Sequence, residues 1–149
     1  MEKLSDFVGT DVYSDGKKMG RITDFYISPR QKKITGFSAV TTSGLIRNEF
    51  FVTRGGILHI DKNGCVVDNK KIFFRGKYAE EYGEMPVFSR GMFSDNSIGD
   101  IYFEPETLNL ERISIKKGFF DDVIFGRETV DINDVSISKK GIVKLEGNK

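Results

Sequence analysis

Few side chains in this 149-residue chain have both the type and the spacing to do chemistry. His59 is the sole imidazole, with no second His and no Cys at a ligand spacing, so neither metal binding nor acid/base work is indicated. Its direction stays open. Aligned on Gly64 and Gly141 it lies opposite Ser136 and faces outward; aligned on Ile57 and Val135 it turns inward. Cys65 is the one cysteine, which excludes an internal disulfide and a multi-thiolate site, and it reads as a small apolar residue at the start of a strand. Asp61-Lys62-Asn63-Gly64 opens like a calcium loop but lacks the acid at the third position and the closing Glu, so Asn-Gly is read as a hairpin turn. Asp121-Asp122, Glu80-Glu81 and the pair Glu104 and Glu106 around Pro105 are read as solvated turns and edges, since neighbours in an extended chain face opposite ways. No glycine pattern makes a dinucleotide fingerprint or a P-loop. The expectation is a protein that is not an enzyme and uses no cofactor and no metal.

The elements that must position these residues are written twice. Val12-Tyr13-Ser14-Asp15-Gly16 returns as Val87-Phe88-Ser89-Arg90-Gly91, and Met19-Gly20-Arg21-Ile22 returns as Ile98-Gly99-Asp100-Ile101. A fixed internal period means two copies of one folding unit. Short β-branched and aromatic runs separated by turn signals predict an all-β protein. Strands are predicted at 11–13, 19–27, 34–41, 45–52, 58–60 and 65–67, and again at 85–88, 98–103, 110–115, 119–125, 135–137 and 142–145. In this alignment the second copy has a longer first loop, loses three residues before Glu104-Pro105, carries Arg112 where Gly36 stands, and has no counterpart to Asp24. The domains are expected at 5–68 and 84–146, joined by an aromatic linker, 69–83, that packs rather than dangles.

Basic pairs recur at Lys17-Lys18, Lys32-Lys33, Lys70-Lys71, Lys116-Lys117 and Lys139-Lys140, all expected at turns or strand ends, where lysine keeps edges soluble. In one place, Lys70, Lys71, Arg75 and Lys77 interleave with Phe73, Phe74 and Tyr78, so that phosphate contact and base stacking coincide; RNA is an alternative partner but not the favoured one. Around Leu45, Ile46, Phe119 and Phe120 strict alternation fails. Apolar groups must then point both ways, and these four are expected to line a contact between the copies or a homodimer.

With those positions in hand, the chain resembles a tandem pair of PRC-barrel domains. The resemblance rests on Val8-Gly9-Thr10-Asp11-Val12-Tyr13, on Asp15-Gly16-Lys17-Lys18-Met19-Gly20-Arg21-Ile22-Thr23-Asp24-Phe25-Tyr26-Ile27, on Ser28-Pro29 and Lys33-Ile34-Thr35-Gly36-Phe37, and on Phe51-Val52 with Leu58-His59-Ile60. It implies two small β-barrels and an interaction module that docks on a protein or ribonucleoprotein assembly. Relatives are the cytoplasmic part of the photosynthetic reaction-centre H subunit and the C-terminal domain of the ribosome maturation factor RimM. No catalytic residue is carried over.

Charge and hydropathy set the remaining bounds. Residues 1–68 hold 10 basic and 8 acidic groups, 69–83 hold 4 and 2, and 84–149 hold 9 and 12, so no single-sign field predicts nucleic acid or membrane as partner. No apolar run is long enough to span a membrane, and the first residues lack a signal-peptide core, so a cytoplasmic protein without membrane insertion is expected.

Overall fold

Alternating β-branched and aromatic runs become strands in the computed structural model, which describes residues 1–42, 48–74, 79, 84–89, 98–115, 128–138 and 141–144. In chain order these are β1 (Glu2–Lys3), β2 (Asp11–Ser14), β3 (Lys17–Ser28), β4 (Lys33–Thr41), β5 (Glu49–Thr53), β6 (Ile57–Asp61), β7 (Gly64–Val67), β8 (Ile72–Phe73), β9 (Met85–Pro86), β10 (Ile98–Phe103), β11 (Leu110–Ile115), β12 (Glu128–Asp131), β13 (Val135–Ser138) and β14 (Gly141–Lys144). The protein is all-β. Hydrogen-bonded neighbours run β6-β7-β2-β3-β4-β5-β8 with β9 also on β3, then β1-β10-β11-β12, then the hairpin β13-β14. Asp15 and Gly16 take positive φ (51° and 77°) in the tight β2–β3 turn, which explains the Asp-Gly there.

The two halves share one pairing register. Ile27 faces Ile34, Tyr26 faces Gly36, Phe25 faces Phe37 and Asp24 faces Ser38 across β3–β4. Phe103 faces Leu110, Tyr102 faces Arg112, Ile101 faces Ile113 and Asp100 faces Ser114 across β10–β11. Even the irregularities coincide: the first ladder slips between Ile22 and Asp24 and between Tyr26 and Ile27, the second between Ile98 and Asp100 and between Tyr102 and Phe103. The turns that follow match too, with Lys32 and Leu108 both at positive φ (55° and 63°).

This register corrects the expected alignment. Asp100 stands where Asp24 stands, so the second half does have a counterpart to that residue, and no residues are lost before Glu104-Pro105. Val87-Phe88-Ser89 lies against β3 rather than in the place of Val12 to Ser14: the Val87 N–H donates to the Phe25 carbonyl at 2.9 Å. Arg112 does occupy the place of Gly36. A Cβ on Gly36 would meet the Phe51 ring and the Val52 carbonyl at 2.5 Å, whereas Arg112 faces a smaller neighbour, donating through Nε to Thr129 Oγ1 at 3.2 Å. Glycine against phenylalanine in one half has become arginine against threonine in the other.

Each half lends its first strand to its partner. β1 pairs with β10, Glu2 against Phe103 and Lys3 against Tyr102, while β9 pairs with β3, Met85 against Ile27 and Pro86 against Tyr26. The two buried aspartates hold these loans. Asp24 accepts the N–H groups of Phe88 and Ser89 at 2.8 and 2.9 Å; Asp100 accepts the Ser5 hydroxyl at 2.5 Å and the Ser5 N–H at 3.4 Å. Between them Lys33 bridges Asn109, with the Ile34 N–H donating to Leu108 and the Leu110 N–H to Lys32 at 2.8 and 3.0 Å. The strand loans and the bridge between the turns are reciprocal, as in an isologous interface.

The apolar faces merge accordingly. Leu4, Phe7, Phe25, Phe37, Val87, Ile101, Phe103 and Ile113 belong to one buried cluster, and the Phe7 and Phe103 rings meet edge to face at 5.2 Å. A unit of about 70 residues buries too little surface to stand easily alone, and a shared core answers that need. The expected linker opens with a short 3-10 turn, Asn69–Lys71, and continues as a strand, β8, with Val52 against Ile72 and Phe51 against Phe73.

Candidate functional site

A concavity of the described residues runs along β6. It is a cleft of about 680 Å³ whose one wall is Ile57 to Asn63 and whose other wall is Glu104, Pro105, Glu106 and Leu108, with Phe7 and Glu2 between. Tight packing builds the first wall. Asp61 closes the β6–β7 hairpin by accepting the N–H groups of Asn63 and Gly64 at 2.8 and 3.1 Å, an Asx turn that the Asp-Lys-Asn-Gly sequence encodes. The second wall is the Pro105 turn, closed by the Leu108 N–H on the Glu104 carbonyl at 2.7 Å.

His59 lies on the cleft side, outward and 64% exposed, with Nε2 2.8 Å from Asp61 Oδ2. A break in register between Ile57 and His59 resolves its direction: Ile57 faces Val67, His59 faces Val66, and Leu58 is the extra residue. Both sequence alignments were half right. The hydrogen bond from His59, followed by those from the Asn63 and Gly64 N–H groups, holds the Asp61 carboxyl below its usual range, against an opposing upward push from desolvation. The neighbouring thiol is out of this pair's reach: Cys65 is fully buried, and desolvation, with a lesser push from Asp61, raises its pKa to about 12. Among the described residues no group of three or more His, Cys, Asp or Glu side chains is placed to hold a metal ion. No helix of the described residues is long and apolar enough to cross a membrane.

The cleft is acidic. Glu2, Asp61, Glu104 and Glu106 line it against Lys62, 3.5 Å from Glu2, and the Met1 amine, 3.9 Å from Glu104. Glu104 Oε1 also accepts the Glu106 N–H at 3.3 Å, so the first acid shapes its own turn while the Glu106 side chain stands exposed.

Of the sites expected from sequence, Lys70 and Lys71 are exposed in a short 3-10 turn that Asp68 caps through the Lys70 N–H, and Phe73 is half-buried in β8. Phe74 beside them is 56% exposed, its ring 5.7 Å from that of Phe50. Arg75 and Lys77 lie outside the described residues, as do Leu45, Ile46, Phe119 and Phe120. What sequence reasoning missed is the meeting of His59 and Asp61 with Glu104 and Glu106, which stand far apart in the chain.

The segment bearing the β6 wall is also the segment that comparison identifies: residues 1–72 match the family model of the PRC-barrel domain. That segment, just under half of the chain, is similar to a PRC-barrel domain. The matched segment supplies β1 to β7, the hairpin with His59 and Asp61, and the Asp24 carboxylate. The opposite wall of the cleft, Glu104 to Leu108, comes from beyond the PRC-barrel match. No curated protein matches the chain.

Proposed function

We propose that this protein is a non-enzymatic docking module of two PRC-barrel-like units, 5–68 and 84–146, joined through 69–83, which attaches to a protein or ribonucleoprotein assembly in the cytoplasm. The observation that carries the reading is the cleft along the outer side of β6, where Leu58, an exposed apolar side chain, stands beside His59. Apolar side chains held on a rigid strand favour attachment over turnover. The shared register and the reciprocal strand loans support treating residues 84–146 as a second unit of the same kind.

A second reading, an RNA- or ribosome-associated factor similar to RimM, draws on Lys70 and Lys71 beside the exposed Phe74 ring. Affinity capture from the native host, with and without nuclease, separates the two. Docking on protein predicts a defined partner retained after nuclease treatment at moderate salt. Loss of all retention with nuclease, together with a steep fall in RNA affinity as salt rises, supports the second reading and refutes the first.

A further inference from the structure

We propose that the outer edge of β6 receives an extended, lysine- or arginine-bearing segment of a partner protein, which pairs with the strand backbone and lays its basic side chains against Glu104, Glu106 and Asp61. The proposal deepens the docking-module reading and rests on it. β6 pairs with β7 on one side only, and no strand of the described residues lies on its other side. In an antiparallel ladder, alternate residues turn both backbone groups away from the partner strand. Counting from the tight Asp61–Gly64 pair, those of Ile60 turn outward, toward the cleft. A free edge of this kind is a template for one more strand.

The chain contains its own control. Beyond the equivalent turn of the first half lies a smaller cleft, about 340 Å³, where Pro29, Arg30 and Lys32 face Val135, Ser136 and Ile137. Pro29 corresponds to Pro105, Arg30 to Glu106 and Lys32 to Leu108 by the shared register, so the same turn is basic in one half and acidic in the other. The fold therefore does not require the acids. The acidic cleft is also twice as roomy, and it alone has the inserted Leu58, because β13 pairs with β14 without a break in register. Size, apolar anchor and negative charge coincide at one edge. A basic extended segment satisfies all three, its backbone on β6, an apolar side chain on Leu58 and cations on Glu104 and Glu106.

The test uses the full chain and fluorescein-labelled hexapeptides read by anisotropy, with backbone amide shifts mapped by NMR. A peptide alternating lysine and valine is expected to bind saturably, weaken with salt and shift the amides of Ile57 to Asp61. Its glutamate–valine counterpart is expected not to bind. The lysine peptide with alternate backbone nitrogens methylated is also expected to fail, since it cannot complete a ladder. Glu104→Gln combined with Glu106→Lys should weaken binding roughly tenfold, and Glu106→Lys alone, at an exposed side chain, checks that result without touching the turn. Arg30→Glu, at the equivalent position, should change nothing. Equal binding of both charge types, binding by the methylated peptide, or shifts confined to β13 would overturn the proposal. So would sedimentation showing self-association that Arg30→Glu abolishes, which would make a second copy the occupant. A nuclease-resistant protein partner whose capture ignores Glu106→Lys would sink this inference while leaving the docking module standing.

Discussion

Asp24→Asn is the sharpest perturbation of the way the halves are joined. The carboxylate is 4% exposed and each oxygen accepts one backbone N–H from the other half, Phe88 at 2.8 Å and Ser89 at 2.9 Å. Asparagine keeps one oxygen and turns an NH₂ toward the second donor, so one charge-assisted bond becomes neutral and the other N–H is left unsatisfied. Weakening the first costs about 1 kcal/mol and stranding the second about 1–3 kcal/mol, less what is regained by no longer burying a charge, for a net loss of about 2–3 kcal/mol. For a domain of this length that is roughly 5–10 °C in Tm. Urea unfolding followed by circular dichroism and by tyrosine emission, the chain having no tryptophan, reads it directly. Asp100→Asn should lower the same single transition, because Asp100 holds Ser5 in the reciprocal place. A loss under about 0.5 kcal/mol, or a second transition appearing while the first stays put, would refute the reasoning.

Gly36→Ala should cost several kcal/mol, on the order of 2–4, because its Cβ would press on the Phe51 ring and the Val52 carbonyl, whereas Arg112→Ala at the corresponding position should cost about 1 kcal/mol or less by thermal unfolding. Lys32→Gly relieves a non-glycine residue at φ 55° and should stabilise by about 0.5–1 kcal/mol in the same assay. His59→Ala removes the largest cause holding the Asp61 carboxyl low, so its titration, followed by carboxyl ¹³C shift, should move up in pH. The sign for stability follows: with a folded pKa below the unfolded one, the contribution of Asp61 is present above the ordinary carboxylate range and fades as pH falls through the lowered value. Cys65 should react with a thiol reagent only on unfolding, given its burial and raised pKa; rapid labelling of the native protein would contradict the packing.

Much of this fold is legible in the chain, and the illegible parts have physical reasons. Asp15-Gly16 names its hairpin because few residues tolerate the positive φ that the turn needs, and Asp61 names the next because its side chain caps the turn at Asn63 and Gly64. Pro29 and Pro105 mark the paired turns. The strand loans were not readable, since β1 and β9 are two residues each and show no periodicity. Anchoring the repeat on Gly20 and Gly99 hid the match of Asp24 with Asp100. The usable signal was Asp24-Phe25-Tyr26-Ile27-Ser28-Pro29 against Asp100-Ile101-Tyr102-Phe103-Glu104-Pro105, with acid, tyrosine and proline in step. The direction of His59 depended on one inserted residue, Leu58, which alternation alone does not reveal. The cleft was hidden for a different reason: its walls come from two halves, so no local window contains it.

The most direct test of the docking account is a photo-crosslinking residue substituted at Leu58 of the full chain in its native host, with a matched substitution at Ser136 on the equivalent strand. The account predicts a nuclease-resistant protein adduct at Leu58, lost when Glu106→Lys is added, and none at Ser136. Adducts to nucleic acid, or protein adducts of equal yield at both positions, would contradict it.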